Sequence, residues 1–394
     1  KIMESTHGHL LTAVSLGEVL QQAGAKMMVF SSGSTGQAMM QNHTVSGGAV
    51  INPGLILPES FKEILVKEIG PIPAHAKPNT PQHKWGTDAL IKYGITLDGP
   101  MVSAIWFSDP DGTAHSDGIG VPSSMESIKA VDAEFGRILA SIKSKNLSQN
   151  FNIIISADHG FITDVGKVGL SEFLIAQGIK KDAESEDVVV VEGAVYVKDH
   201  DPMVIKKIVS ALQAQEWVGP IFTKGKNPGD MKGNIEGTLS FESIHWNHPE
   251  RSADILVDEN WDDRKNDRGY AGMSFSRGVA GHGGLSPYEV HIALLASGPS
   301  FKKSFESEIP TSNVDLVPTI LAIHNIPIPS SMNGRVMSEL FAEKSKESKK
   351  LTSKKEIITT SAEFQGGTYT VTLERSVVGK YQYVDFARVV RVHK

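Results

Sequence analysis

Five side chains able to bind a metal ion, Asp111, His115, Asp158, His159 and His282, fall in three short Gly-bearing segments, each beside a strand-like apolar run. Met101 to Phe107 passes into Ser108-Asp109-Pro110-Asp111-Gly112-Thr113-Ala114-His115, and Asn152 to Ser156 passes into Ala157-Asp158-His159-Gly160-Phe161. Ala280-Gly281-His282-Gly283-Gly284 stands ahead of a third run, Val290 to Ala296. Carboxylate oxygen with imidazole nitrogen suits a borderline cation such as zinc, whereas magnesium or calcium takes almost only oxygen. The chain has no Cys, which excludes a thiolate site. Three His and two Asp exceed what one catalytic zinc takes from a protein, so two ions sharing the set is the economical reading. The chemistry implied is that of a two-metal hydrolase.

Each segment alone has a plainer reading. Asp158-His159 after a strand can be a turn and a helix cap, Asp111 with His115 an Asx-turn and an exposed imidazole, and Gly-His-Gly-Gly a flexible loop. Their joint occurrence, three times beside a strand-like run, is what favours ligands. Short apolar runs bounded by Gly, Pro and Asp read as buried parallel strands, and open α/β sheets gather ligands beyond the carboxyl ends of such strands. Met27 to Phe30 is another such run, leading into Ser31-Ser32-Gly33-Ser34-Thr35-Gly36. That loop reads as a phosphate contact or an internal nucleophile at Ser34 or Thr35, or as a turn in which one of the two caps the next helix. The cap is preferred.

The three metal-type segments resemble the ligand motifs of the alkaline phosphatase superfamily, in its type I phosphodiesterase and nucleotide pyrophosphatase branch. The motifs stand in the family order, and the likeness runs from about Leu11 to about Arg335. It implies an α/β fold with a mostly parallel central sheet, helices on both faces and an inserted cap lobe. It also implies two zinc ions, one on Asp111, His115 and His282 and the other on Asp158 and His159. The implied substrate is a small phosphate ester or nucleotide-like molecule, and the implied compartment is secreted or periplasmic. The resemblance further requires a Thr or Ser nucleophile and another Asp on an N-terminal strand and helix start, which this sequence does not show. Leu16 to Gly24 resembles a segment downstream of that nucleophile. The expectation is a longer natural chain, with its nucleophile upstream of Lys1 and the present stretch hydrolytically weak. A phosphomonoesterase or phosphonate hydrolase of the same superfamily is a second reading, and a non-catalytic metal-binding remnant a third.

At 394 residues and 40% apolar content the chain can bury an ample core. A net charge of -6 argues against a general nucleic-acid binder, and no run is long and apolar enough to span a bilayer. The absence of Cys rules out disulfides without fixing a compartment. Ser123-Ser124-Met125-Glu126 reads as a capping box opening an amphipathic helix to about Lys145, with Met125, Ile128, Val131, Phe135, Ile138, Leu139 and Ile142 on its apolar face. Residues 1–162 and 279–342 are expected to form the α/β core, and 163–278 an inserted cap and sheet extension. Residues 343–356 read as a linker and 357–394 as a β tail that pairs as a terminal hairpin. His245, Trp246, His248, Trp261 and Tyr270 are the substrate contacts such a cap would offer, with loop or packing roles as the plainer reading.

Overall fold

The computed structural model describes residues 2–6, 8, 10–342 and 351–394. The chain divides into two compact units, Lys1–Ser156 with Leu294–Lys350 and Ala157–Ala293 with Leu351–Lys394.

In the first unit, strand β1 (Met27–Ser31) lies between β2 (Ala49–Asn52) and β4 (Val102–Trp106) and pairs parallel with both, while β3 (Leu55–Leu57) closes one edge antiparallel to β2. Alternate β1 residues face opposite ways, as a strand requires. Met27 and Val29 pack with Leu16, Val19, Leu20 and Leu321, from helices Leu16–Gln22 and Leu316–Ile323. Phe30 packs on the other side with Trp85, Leu90, Ile138 and Ile142. Helices therefore cover both faces, the arrangement that a sheet apolar on both sides needs.

Three local expectations change. Strand β5 (Ile153–Ser156) pairs antiparallel with Leu294–Ser297 in a two-stranded ribbon. Of the run expected as a strand, Val290 to Ala296, Val290 ends a helical turn, Pro287–Val290, which Pro287 starts, and the strand begins only at Leu294. The helix expected from Ser123 runs Pro122–Ser144 with Val121 at its N-cap and no side-chain cap. Ser123 and Ser124 turn instead to Asp117 and to the Gly118 carbonyl. Pro122, whose fixed φ suits the first helical position, starts the helix one residue early, so Ser123 lies inside the first turn and cannot cap it. The buried stripe of this helix is Ser124, Ser127, Glu134, Ile138, Ser141 and Ile142, whereas Met125, Ile128 and Leu139 are exposed.

The second unit holds a five-stranded sheet ordered Leu239–Ser240, Val218–Thr223, Ile255–Glu259, Ala194–Val197 and Val188–Val191. A second sheet is ordered Trp261–Lys265, Ala271–Ser274, Ile162–Asp164 and Ala280–Gly281. The carboxy-terminal residues make a third, Lys354–Phe364, Gly367–Val378 and Tyr381–His393, all antiparallel. They are not an appended hairpin. Tyr369, Val371 and Leu373 alternate inward, are fully buried in the unit's main core, and the Tyr369 hydroxyl donates to the Gly219 carbonyl at 2.9 Å. The first strand begins at Lys354, inside the stretch read as a linker; residues 343–350 of that stretch lie outside the described residues.

Candidate metal centre

Asp111 and His115 open and nearly close a seven-residue helix, Asp111–Asp117, that follows β4. Residues four apart share one helix face, and the His115 Nε2 lies 3.2 Å from the Asp111 Oδ1. Both side chains are more than two-fifths exposed, so a ligand can reach them. This helix is firmly seated. Asp109, just ahead of it, accepts at Oδ1 from the Thr113 N–H and hydroxyl, at 3.2 and 2.7 Å, and at Oδ2 from the Asn79 N–H at 2.6 Å and from the His83 Nε2 at 3.1 Å. Burial pushes the Asp109 carboxyl up, but the bonds from His83, Thr113 and Asn79 outweigh it and hold the group at about 2.

In the second unit, Asp158 and His159 sit in the turn leading to strand Ile162–Asp164. The Gly160 and Phe161 N–H groups donate to the Glu289 and Tyr288 carbonyls, at 2.6 and 3.0 Å. A Cβ at Gly160 would stand 2.1 Å from the Tyr288 oxygen, so only glycine permits that approach. Strand Ala280–Gly281 pairs antiparallel with Ile162–Asp164, Gly281 opposite Ile162, and this register carries His282 to His159. The two imidazole rings stack with centroids 3.3 Å apart and planes 13° from parallel. Gly283, at φ +107, turns the chain away behind His282. Two acids hold this loop, one buried and one half-buried: Glu289 accepts from the Gly284 N–H and the Ser286 hydroxyl, and Asp258 from the Leu285 N–H. Burial pushes both carboxyls upward, that of Asp258 well above its ordinary value with help from the charges of Glu259 and Glu289.

The His159 ring has a fixed polarity. Its Nδ1 lies 2.9 Å from the Gly160 carbonyl, which can only accept, so Nδ1 carries a proton. Nε2 is the nitrogen that faces the Asp158 Oδ2, at 3.2 Å. An imidazole oriented by a carbonyl, with the other nitrogen beside a carboxylate oxygen, has the donor chemistry of a zinc ligand pair. The side chains therefore fit a borderline divalent cation.

The structure brings Asp111 to His115 in the first unit, and Asp158, His159 and His282 together in the second. Ser34 caps helix Thr35–Gln41 by accepting from the Gln37 N–H at 3.2 Å, and Thr35 is its first residue. That is the capping geometry preferred for this loop. Of the expected cap contacts, Trp261 is buried and its indole N–H donates to the Ala387 carbonyl at 2.8 Å; Trp246 packs edge-on against Phe241; and His245 Nε2 lies 3.2 Å from the Gln382 carbonyl. His248 Nδ1 accepts from the Glu250 and Arg251 N–H groups, and Tyr270 is exposed. Sequence reasoning missed the seat formed by His83 and Asp109. Its one visible signal was Asp109 two residues ahead of Asp111.

Comparison with solved structures agrees on the fold class. An alkaline phosphatase, PafA, matches with a TM-score of 0.52 at 18% identity, over 66% of this chain and 52% of that one. Murine ectonucleotide pyrophosphatase/phosphodiesterase 5 matches with a TM-score of 0.54 at 18% identity, over 84% and 75%. The fold is that of the alkaline phosphatase superfamily. Within it, residues 65–266 match the family model of type I phosphodiesterase / nucleotide pyrophosphatase, and the chain belongs to that family. Among its relatives is human ectonucleotide pyrophosphatase/phosphodiesterase family member 7, 30% identical over 128 residues, which are 32% of this chain. The matched stretch spans about a quarter, 26%, of that relative's length.

Proposed function

We propose that this chain carries the metal-binding part of a metal-dependent phosphate-ester hydrolase that acts on phosphodiesters or nucleotide pyrophosphates. The observation that carries this reading is the pair of Asp–His couples, each with nitrogen and oxygen 3.2 Å apart on the short segments that follow β4 and β5. Membership of the family supports it, together with the fit of the donor set to zinc. On the family pattern Asp111, His115 and His282 hold one ion, and Asp158 and His159 belong to a second. Bound there, the two ions would neutralise charge on the phosphorus-bound oxygens and activate the attacking and leaving oxygens. This chain's own contribution is orientation. The Gly160 carbonyl holds the His159 ring by its Nδ1–H, the Gly160 and Phe161 N–H bonds fix the turn carrying Asp158, and Asp109 fixes the helix that presents Asp111 and His115. Neither Ser34 nor Thr35 is assigned as a nucleophile, since the first is spent on its helix.

The test is a substrate panel. Bis-p-nitrophenyl phosphate, p-nitrophenyl phosphate, a phosphonate monoester and p-nitrophenyl sulfate are offered to the protein before and after chelation, and again after zinc is restored. Binding or turnover of the diester in preference to the others, lost on chelation and regained with zinc, is expected. A preference for monoester would move the assignment to a phosphatase, and indifference to chelation would remove the metal from it.

A further inference from the structure

Ser32, His83 and Asp109 form a buried chain in the first unit that the reading above leaves without a role. The Ser32 Oγ lies 2.8 Å from the His83 Nδ1, and the His83 Nε2 lies 3.1 Å from the Asp109 Oδ2. The composition is that of a Ser–His–Asp triad, yet it is not a second catalytic centre. The three residues are 6%, 0% and 5% exposed, and the Ser32 hydroxyl already accepts from the Ser108 N–H at 3.1 Å and lies 3.3 Å from the Trp106 carbonyl. No substrate carbonyl can reach it.

The chain instead joins three elements. Ser32 ends the run out of β1, His83 lies in helix Thr80–Ala89, and Asp109 precedes the ligand helix. The carboxylate of Asp109 can only accept, so the His83 Nε2–H is its donor. With one oxygen held by His83 and Asn79, the other is aimed at the N–H and hydroxyl of Thr113, inside the helix that bears Asp111 and His115. The same segment grips the far end of that helix, where the Lys77 ammonium reaches Asp117 at 2.7 Å and the Ser116 hydroxyl at 2.9 Å. Removing His83 would leave a buried carboxylate short of a charge-assisted donor, and the ligand helix would lose its fixed seat.

We propose that His83 is a positioning residue for the metal ligands Asp111 and His115, acting through Asp109. This rests on the ligand assignment proposed above, and the test separates the two. His83→Ala and His83→Gln are compared with the wild type by amide hydrogen exchange across 109–117 and by zinc affinity from competition with a chromophoric chelator. Glutamine can place an N–H near the position of Nε2 and so preserves the bond to Asp109. In His83→Ala, exchange across 111–117 is expected to accelerate at least about tenfold and zinc affinity to fall about 10- to 100-fold, with both largely restored in His83→Gln. Exchange in His83→Ala equal to wild type overturns the proposal, as does unchanged zinc affinity in a wild type that binds zinc. Equal loss in both variants also overturns it, since the donor to Asp109 would then be irrelevant. A wild type that binds no zinc fails the ligand assignment instead, and the exchange data still judge His83.

Discussion

Asp109 carries a measurable consequence of its own. Its folded value of about 2 lies below its ordinary 3.8, so the folded chain binds fewer protons than the unfolded one in that window. The stabilisation is fully present above about pH 4 and is lost as pH falls through about 2, and it is worth on the order of 2 kcal/mol. Chemical denaturation of wild type and Asp109→Asn between pH 2 and 7 checks this. Wild type should lose stability across that window, and the difference between the two proteins should shrink toward its acid end. Gly160 offers a steric test at the same scale. A Cβ there would meet the Tyr288 oxygen at 2.1 Å, so Gly160→Ala should destabilise the turn of Asp158 by about 1–3 kcal/mol and weaken metal binding at the site proposed there. A variant as stable as wild type would mean that the turn relaxes freely. Residue types alone made the five candidate ligands stand out, because Asp and His beside glycine after an apolar run are unusual in combination. The partnership of His83 with Asp109 was not legible, since 26 residues separate the two and only the fold brings them together.

The strands of the first sheet could be read from the runs Met27 to Phe30 and Met101 to Phe107, because apolar runs that short between polar turns have few other uses. How strands pair was less legible. Nothing in three consecutive isoleucines says whether the neighbour runs parallel, and Ile153–Ser156 met an antiparallel one. The carboxy-terminal strands alternate openly in sequence, but alternation shows a half-buried face without saying what covers it. Their core role makes a prediction. Tyr369→Ala should cost about 3–5 kcal/mol in unfolding free energy, while Tyr369→Phe, which removes only the bond to Gly219, should cost about 1 kcal/mol. Near-equal midpoints for Tyr369→Ala and wild type in urea would show that the sheet is dispensable. Ser15 and Glu18 form a full capping box at helix Leu16–Gln22, with the Ser15 N–H donating to the Glu18 carboxylate at 2.8 Å. Ser15→Ala should cost about 1 kcal/mol.

Among the described residues no helix is long and apolar enough to cross a membrane. Of the proposed ligands, Asp111 and His115 belong to the first unit and Asp158, His159 and His282 to the second. A cation bound by the folded chain and not by the unfolded one stabilises by mass action, about 2.7 kcal/mol when present at a hundred times its dissociation constant. Chelation should therefore lower the thermal midpoint and zinc restore it, with magnesium ineffective because the nitrogen donors do not suit it. The most direct measurement is metal content by plasma mass spectrometry on wild type, Asp158→Ala and His282→Ala, each loaded with zinc and desalted. Two zinc ions in wild type and a loss in each variant are predicted. A wild type without zinc, or variants that retain the full content, would contradict the metal centre outright.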